Sequence, residues 1–276
     1  MVSATQAERP ATTRSRTATL RELALVVGLY VAYSATRLAV GGQWGAAREH
    51  ADQLLHVERA VHLDVELWLN TVVTPVTWLA VPASFWYSTM HFIVTPAVLV
   101  VLYRRHPVLY RPARTALMAA TLVALLGYYF FPTAPPRLVG GGYVDTLSET
   151  SGYGWWPSAA ETAAGGSGSV TNQVAAMPSM HVGWALWVSI VLATLARRWW
   201  LKVLAYAYVA TTTSVVVLTA NHWVLDAVAG VVLVGGCWVV ASRAHRPPPA
   251  STQAPVHDLG RRPADDVDDG RTLAAS

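Results

Sequence analysis

Six runs of predominantly apolar residues, at about 22–41, 76–103, 114–132, 178–196, 199–220 and 222–242, constrain this chain more than any other feature. A helix needs about 20 such residues to cross the hydrocarbon of a bilayer, where no water can satisfy an exposed backbone group. Each run approaches or exceeds that length, and 178–196, the shortest, needs its flanks. The expected fold is therefore all-α, a polytopic membrane bundle of about six transmembrane helices. Composition agrees: only 13% of residues are charged, against about 25% in soluble domains. Twelve Trp and eleven Tyr suit aromatic belts at two interfaces.

Six spans place both termini on one side, and the basic residues say which. Arg9, Arg14, Arg16, Arg21, Arg104, Arg105, Arg111, Arg114, Arg197, Arg198, Lys202, Arg243 and Arg246 fall beside the spans on one side. The other side has Arg48, Arg59 and Arg137, with Arg37 near the end of the first span. By the positive-inside rule the termini are cytoplasmic. This placement accounts for the +4 net charge and pI near 9.4 without a nucleic-acid partner. The lone Cys237 lies in an apolar run and has no partner for a disulfide or a metal site. No cleavable signal peptide is expected, because the first eighteen residues are polar and Arg-bearing.

Residues 1–18 read as a disordered cytoplasmic tail, 19–246 as the membrane domain, and 247–276, Pro-Pro-Pro followed by an Asp-rich stretch, as a second disordered tail. Segment 43–72 mixes Glu49, Asp52, Glu58, Asp64 and Glu66 with Leu, Val and Trp, and predicts one or two amphipathic helices lying on the outer surface. The outer segment 133–176 is long and Gly-rich, the length of a functional lid or of a disordered segment.

Ionisable groups inside membrane spans are costly, so each is a functional candidate. His222 and Asp226, four apart at the start of the sixth span, project from one helical face. Such an Asp can fix the imidazole tautomer and leave the other nitrogen free to attack; a structural His–Asp pair fits the same spacing. His181 follows Met177-Pro178-Ser179-Met180 at the start of the fourth span, near free backbone N–H groups that attract anions. An incidental interfacial His is its alternative. Arg137 follows Pro135-Pro136 and offers a forked donor for phosphate oxygens, or simply snorkels toward headgroups. All three groups lie at the outer ends of spans, and the bland readings do not explain that agreement. Tyr87 and His91, four apart in the second span, line a substrate cavity or make a helix contact.

The pattern resembles the type-2 phosphatidic acid phosphatase superfamily over roughly residues 75–245, and within it the branch of inositol phosphorylceramide synthases. Pro178-Ser179-Met180-His181 matches the second motif, usually Pro-Ser-Gly-His, with Met180 in the Gly position. His222 through Asp226 matches the third, His-x-x-x-Asp, and Pro135-Pro136-Arg137 is similar to this branch's first motif. Two positions depart: the Arg usual six residues before the third-motif His is Val216, and the first motif's leading Lys has no equivalent.

The resemblance implies a phosphohistidine mechanism on a lipid-linked phosphate at the extracytoplasmic face. His222 would attack phosphorus, Asp226 would orient it, and His181 would protonate the departing oxygen and then activate water or an alcohol. Arg137 and Ser179 would bind phosphate, with Tyr87, His91 and Arg37 near the substrate and Arg48 and Arg59 as further candidate donors. No metal or cofactor is required, although His181, His222 and Asp226 would also serve as zinc ligands. Val216 in place of Arg, the Pro-Pro-Arg first motif and the long Trp-bearing outer segment lean toward inositolphosphotransferase-like headgroup transfer, with simple hydrolysis as the alternative and, from another class, a transporter or scaffold.

Overall fold

Each apolar run coils into a helix, the local answer to an environment that offers its backbone no other hydrogen-bond partner. The computed structural model describes residues 16–40, 43–163 and 174–246. The six runs correspond to α1 (Arg16–Val40), α4 (Thr77–Arg105), α5 (Pro107–Phe130), α9 (Met180–Leu195), α10 (Trp199–Leu218) and α11 (Val224–Ala244). Between α1 and α4 lie α2 (Trp44–Ala60) and α3 (Glu66–Val73). The segment after α5 holds α6 (Pro136–Val139), α7 (Thr146–Glu149) and α8 (Ala159–Ala163). Among the described residues the only extended pairing is an isolated bridge between Thr133 and Ala175.

Four of these helices, α4, α5, α10 and α11, are long and apolar enough to cross a membrane, which fits an integral membrane protein. The fourth run is the exception in length. α9 has only 16 residues, about 24 Å at 1.5 Å per residue, short of the roughly 30 Å of hydrocarbon. It packs against α4, α5, α10 and α11. Trp187, Val188 and Val191 of α9 are fully buried against Leu117, Ala120 and Ala124 of α5 and Val234 of α11. Trp187 Nε1 donates to the Ala113 carbonyl at 2.8 Å, so even this large ring leaves no polar atom unpaired. α1 has 25 residues and reaches α5, where its Glu22 pairs with Arg114 and accepts from the Tyr110 hydroxyl at 2.7 Å.

The two helices expected on the outer surface exist, and they are also built into the core. Ala47, Ala51 and Leu54 of α2 are buried against Ala134, Val174 and Trp223. Glu58 and Glu66, expected among the polar residues of amphipathic surface helices, are fully buried. Asn70 of α3 ties the long segment down: its Oδ1 accepts the Val144 N–H at 2.8 Å and its Nδ2 donates to Thr146 Oγ1 at 3.0 Å. Gly140, Gly141 and Gly142 all have positive φ (83°, 70° and 96°), a run of left-handed backbone that side chains disfavour. The later Gly-rich stretch, 164–173, lies outside the described residues, as do the tails 1–15 and 247–276.

Candidate active site

Three separate segments meet where the candidate residues lie, and backbone hydrogen bonds hold them together. The Thr133 N–H donates to the Val174 carbonyl at 2.7 Å, and the Ala176 N–H to Thr133 at 3.1 Å. The Ser179 N–H donates to the Asp226 carbonyl at 2.9 Å, and the Arg137 N–H to Ala220 at 2.9 Å. Trp223 Nε1 donates to Ala134 at 2.9 Å and the Tyr128 hydroxyl to Pro178 at 2.9 Å. The turn before α11 depends on Val216, whose carbonyl accepts from both Asn221 (3.0 Å) and His222 (3.1 Å). Its side chain lies in an apolar cluster with Val182, Val217, Ala227 and Tyr87, where the wider superfamily would carry an arginine.

His222 is 4% exposed at the centre of this junction. Its Nδ1 lies 2.9 Å from the Ala176 carbonyl and 3.4 Å from Asp226 Oδ2; its Nε2 lies 3.3 Å from His181 Nδ1. A carbonyl can only accept, so His222 Nδ1 carries hydrogen, and in the neutral ring Nε2 then presents a lone pair. His181 Nδ1 must then be the donor to it. Asp226 was expected to set this tautomer, but the nearer partner is the main chain of Ala176. Asp226 is fully buried and its Oδ2 accepts the Trp223 N–H at 2.9 Å, which orients the start of α11.

His181 is enclosed by aromatic rings. Tyr87 stacks on it with centroids 4.3 Å apart, and His91 meets it edge-on at 4.4 Å. Both expected cavity residues therefore touch the candidate acid. Ser179 is the N-cap of α9, its Oγ 3.5 Å from the Val182 N–H. Arg137 stands beside the His222 turn through its backbone, while its Nη1 donates to Asp145 Oδ2 at 2.7 Å and its buried Nε has no partner. Arg48 is committed to the Val139 carbonyl (2.7 Å), and Arg59 faces Asp64 in an exposed pair at 3.8 Å. Arg37 lies on α1, but its side chain is outside the described residues. Among the described residues no group of three or more His, Cys, Asp or Glu is arranged to hold a metal ion.

Three contributors were not visible beforehand. Glu58 Oε1 accepts the Leu225 N–H at 2.7 Å and Glu66 Oε1 the Val224 N–H at 2.8 Å, so α2 and α3 hold the first turn of α11. Gly230 lets α11 approach Ser179: a Cβ there would lie 2.3 Å from the Ser179 carbonyl oxygen. Only this last had a sequence signal, a glycine four residues after Asp226 and so on the same face of α11.

The long segment after α5 docks on α4, the helix that carries Tyr87 and His91. Trp156 is buried, donates to the Leu147 carbonyl at 2.8 Å and meets Phe85 edge-on at 4.9 Å. The Thr150 hydroxyl donates to Ser84 Oγ at 2.8 Å. Trp155, by contrast, is 63% exposed.

Residues 52–240 match the family model of the PAP2 superfamily. No curated protein and no solved structure matches the chain.

Proposed function

This chain belongs to the PAP2 superfamily, a phosphatase or phosphotransferase of that type, and we propose that it transfers a phosphoalcohol headgroup, inositol phosphate among them, from a lipid-linked phosphate to an alcohol through a phosphohistidine on His222. The observation that carries this reading is the chain of contacts from the Ala176 carbonyl through His222 to His181. It leaves His222 Nε2 with a lone pair and sets a hydrogen-bond donor directly in front of it.

In the first half-reaction His222 Nε2 attacks phosphorus and the bond from phosphorus to the leaving oxygen breaks. His181 supplies the proton to that oxygen. In the second, His181 takes the proton of the incoming alcohol, whose oxygen displaces His222 Nε2 from phosphorus. Because His222 Nε2 and His181 Nδ1 lie 3.3 Å apart, substrate has to displace their hydrogen bond and move His181, whose neighbours are Tyr87 and His91. The developing imidazolium on His222 is offset by Asp226 and by the Ala176 carbonyl. Arg137 and donors near Ser179 bind the phosphoryl oxygens, and Arg137 does so in competition with Asp145.

Two features support transfer over hydrolysis. His222 is nearly inaccessible to water, and the Trp156 segment is pinned against α4; an enclosed intermediate gives an alcohol time to arrive. The Lys/Arg bias supports a site at the extracytoplasmic face with both termini in the cytoplasm. Purified protein given a panel of labelled lipid phosphates, diphosphates and headgroup-bearing phosphodiesters, with and without alcohol acceptors, tests the proposal. Label should pass to acceptor faster than to water. Release to water at every acceptor concentration would make the chain a lipid phosphate hydrolase.

A further inference from the structure

Two carboxylates that this reaction does not use are buried beside it. Glu58 of α2 and Glu66 of α3 are fully buried, and each turns one oxygen on the start of α11. With Asp226 they meet three successive backbone donors, those of Trp223, Val224 and Leu225, at 2.9, 2.8 and 2.7 Å. These are the N–H groups that a helix leaves without internal partners. The residue immediately before this run is His222. Its ring is held by Ala176, and the turn beneath it is held by the glutamates.

We propose that Glu58 and Glu66 are positioning residues for His222, clamping the first turn of α11 through the N–H groups of Leu225 and Val224. The role rests on reading His222 as the reacting residue. The partial positive charge of a helix N-terminus, about half an elementary charge, cannot balance two buried carboxylates in addition to Asp226. One of the pair must stay neutral. Burial above all, with the nearby charges of Glu66 and Asp226, pushes the Glu58 carboxyl up to about 9. Glu58 therefore keeps its proton at neutral pH.

The titratable and charged groups around the pair are Asp226 and His222 from the α11 turn and Tyr143 from the segment between α6 and α7. Arg59 and Asp64 lie at the edge, and Arg137 of α6 is paired with Asp145. Burial and the two glutamates hold the Tyr143 phenol above its usual range. As pH rises through the Glu58 value the pair becomes doubly charged, its members repel, and the clamp on Val224 and Leu225 loosens.

Glu58→Gln tests this in the full-length protein in detergent. The amide still offers an oxygen to the Leu225 N–H and a donor to Glu66, but has no proton to lose. Wild-type kcat should fall above about pH 9, with faster hydrogen exchange at the Val224 and Leu225 amides relative to unstructured peptide. Glu58→Gln should keep far more turnover at neutral pH than Glu58→Ala and lose both alkaline changes. Glu58→Ala should unprotect the two amides at neutral pH and lower kcat by about tenfold or more, with KM little changed. An alkaline limb that persists in Glu58→Gln, or Glu58→Ala amides as protected as in wild type, would overturn the clamp. Should no lipid phosphate support turnover, the reaction assignment fails and the exchange measurements still decide the clamp.

Discussion

Replacing Gly230 by Ala should damage turnover more than it damages the fold. Gly230 sits where α11 crosses the start of α9, and an added Cβ would lie 2.3 Å from the Ser179 carbonyl oxygen and 3.2 Å from its carbon. Ordinary contact begins at 3.4 Å, so the two segments must part by 3.4 − 2.3, or 1.1 Å. Overpacking of this kind costs about 1–3 kcal/mol. Loss of the bond from the Ser179 N–H to the Asp226 carbonyl adds about 0.5–1.5 kcal/mol. Better helix propensity returns about 1 kcal/mol, leaving a net destabilisation of about 0.5–3.5 kcal/mol. The same displacement separates His181 from His222, and a 1 Å misplacement lowers turnover by about 10²-fold. Gly235, on the same helix with nothing within 4 Å of its would-be Cβ, is the control. Thermal unfolding and kcat are measured on both variants. If Gly230→Ala keeps the turnover of Gly235→Ala, close approach at Ser179 does not set the geometry of the site.

Arg137→Ala should lower turnover by about 10²–10³-fold, the cost of one electrostatic donor at the transition state, while Asp145→Asn, which keeps the shape and frees the guanidinium, should cost far less. Equal losses in the two variants would make the pair structural only. Trp156→Ala removes the buried contact with Phe85 and the bond to Leu147; the ratio of transfer to hydrolysis should drop, and an unchanged ratio would show that the segment does not exclude water. Single cysteines at Ser148 and Ser251 in a Cys237→Ser background should differ in labelling by an impermeant thiol reagent on intact cells, with Ser148 reactive and Ser251 protected. The reverse pattern would place the site on the cytoplasmic face.

The helices were legible because apolar runs of about 20 residues have few alternatives in lipid. The 16-residue α9 was read as a span from its apolarity, and only its burial among four other helices shows how a shorter helix serves at the centre. His222 and Asp226 were legible from a spacing of four, and Tyr87 and His91 likewise; all four side chains gather around His181 or the turn beside it. The support of His222 was not legible. Its nearer tautomer-fixing partner is a main-chain carbonyl at Ala176, and any residue type there presents the same atom. Glu58 and Glu66 were indistinguishable from Glu49, Asp52 and Asp64, the other acidic residues of the same amphipathic segment. Burial of these two follows from where α11 begins, more than 150 residues later. The Arg137–Asp145 pair spans a Gly-rich turn whose path depends on three positive φ angles, beyond the reach of any helical or strand period.

The central claim is that His222 carries the phosphoryl group between donor and acceptor. Purified protein mixed with a labelled lipid phosphate, without alcohol acceptor, is quenched within one turnover, digested and mapped by mass spectrometry under conditions that preserve phosphohistidine. The modification should appear on the peptide containing His222, decay when an alcohol is added, and be absent from His222→Ala, which should also be inactive. Phosphate on His181 instead, or steady turnover by His222→Ala, would contradict the account.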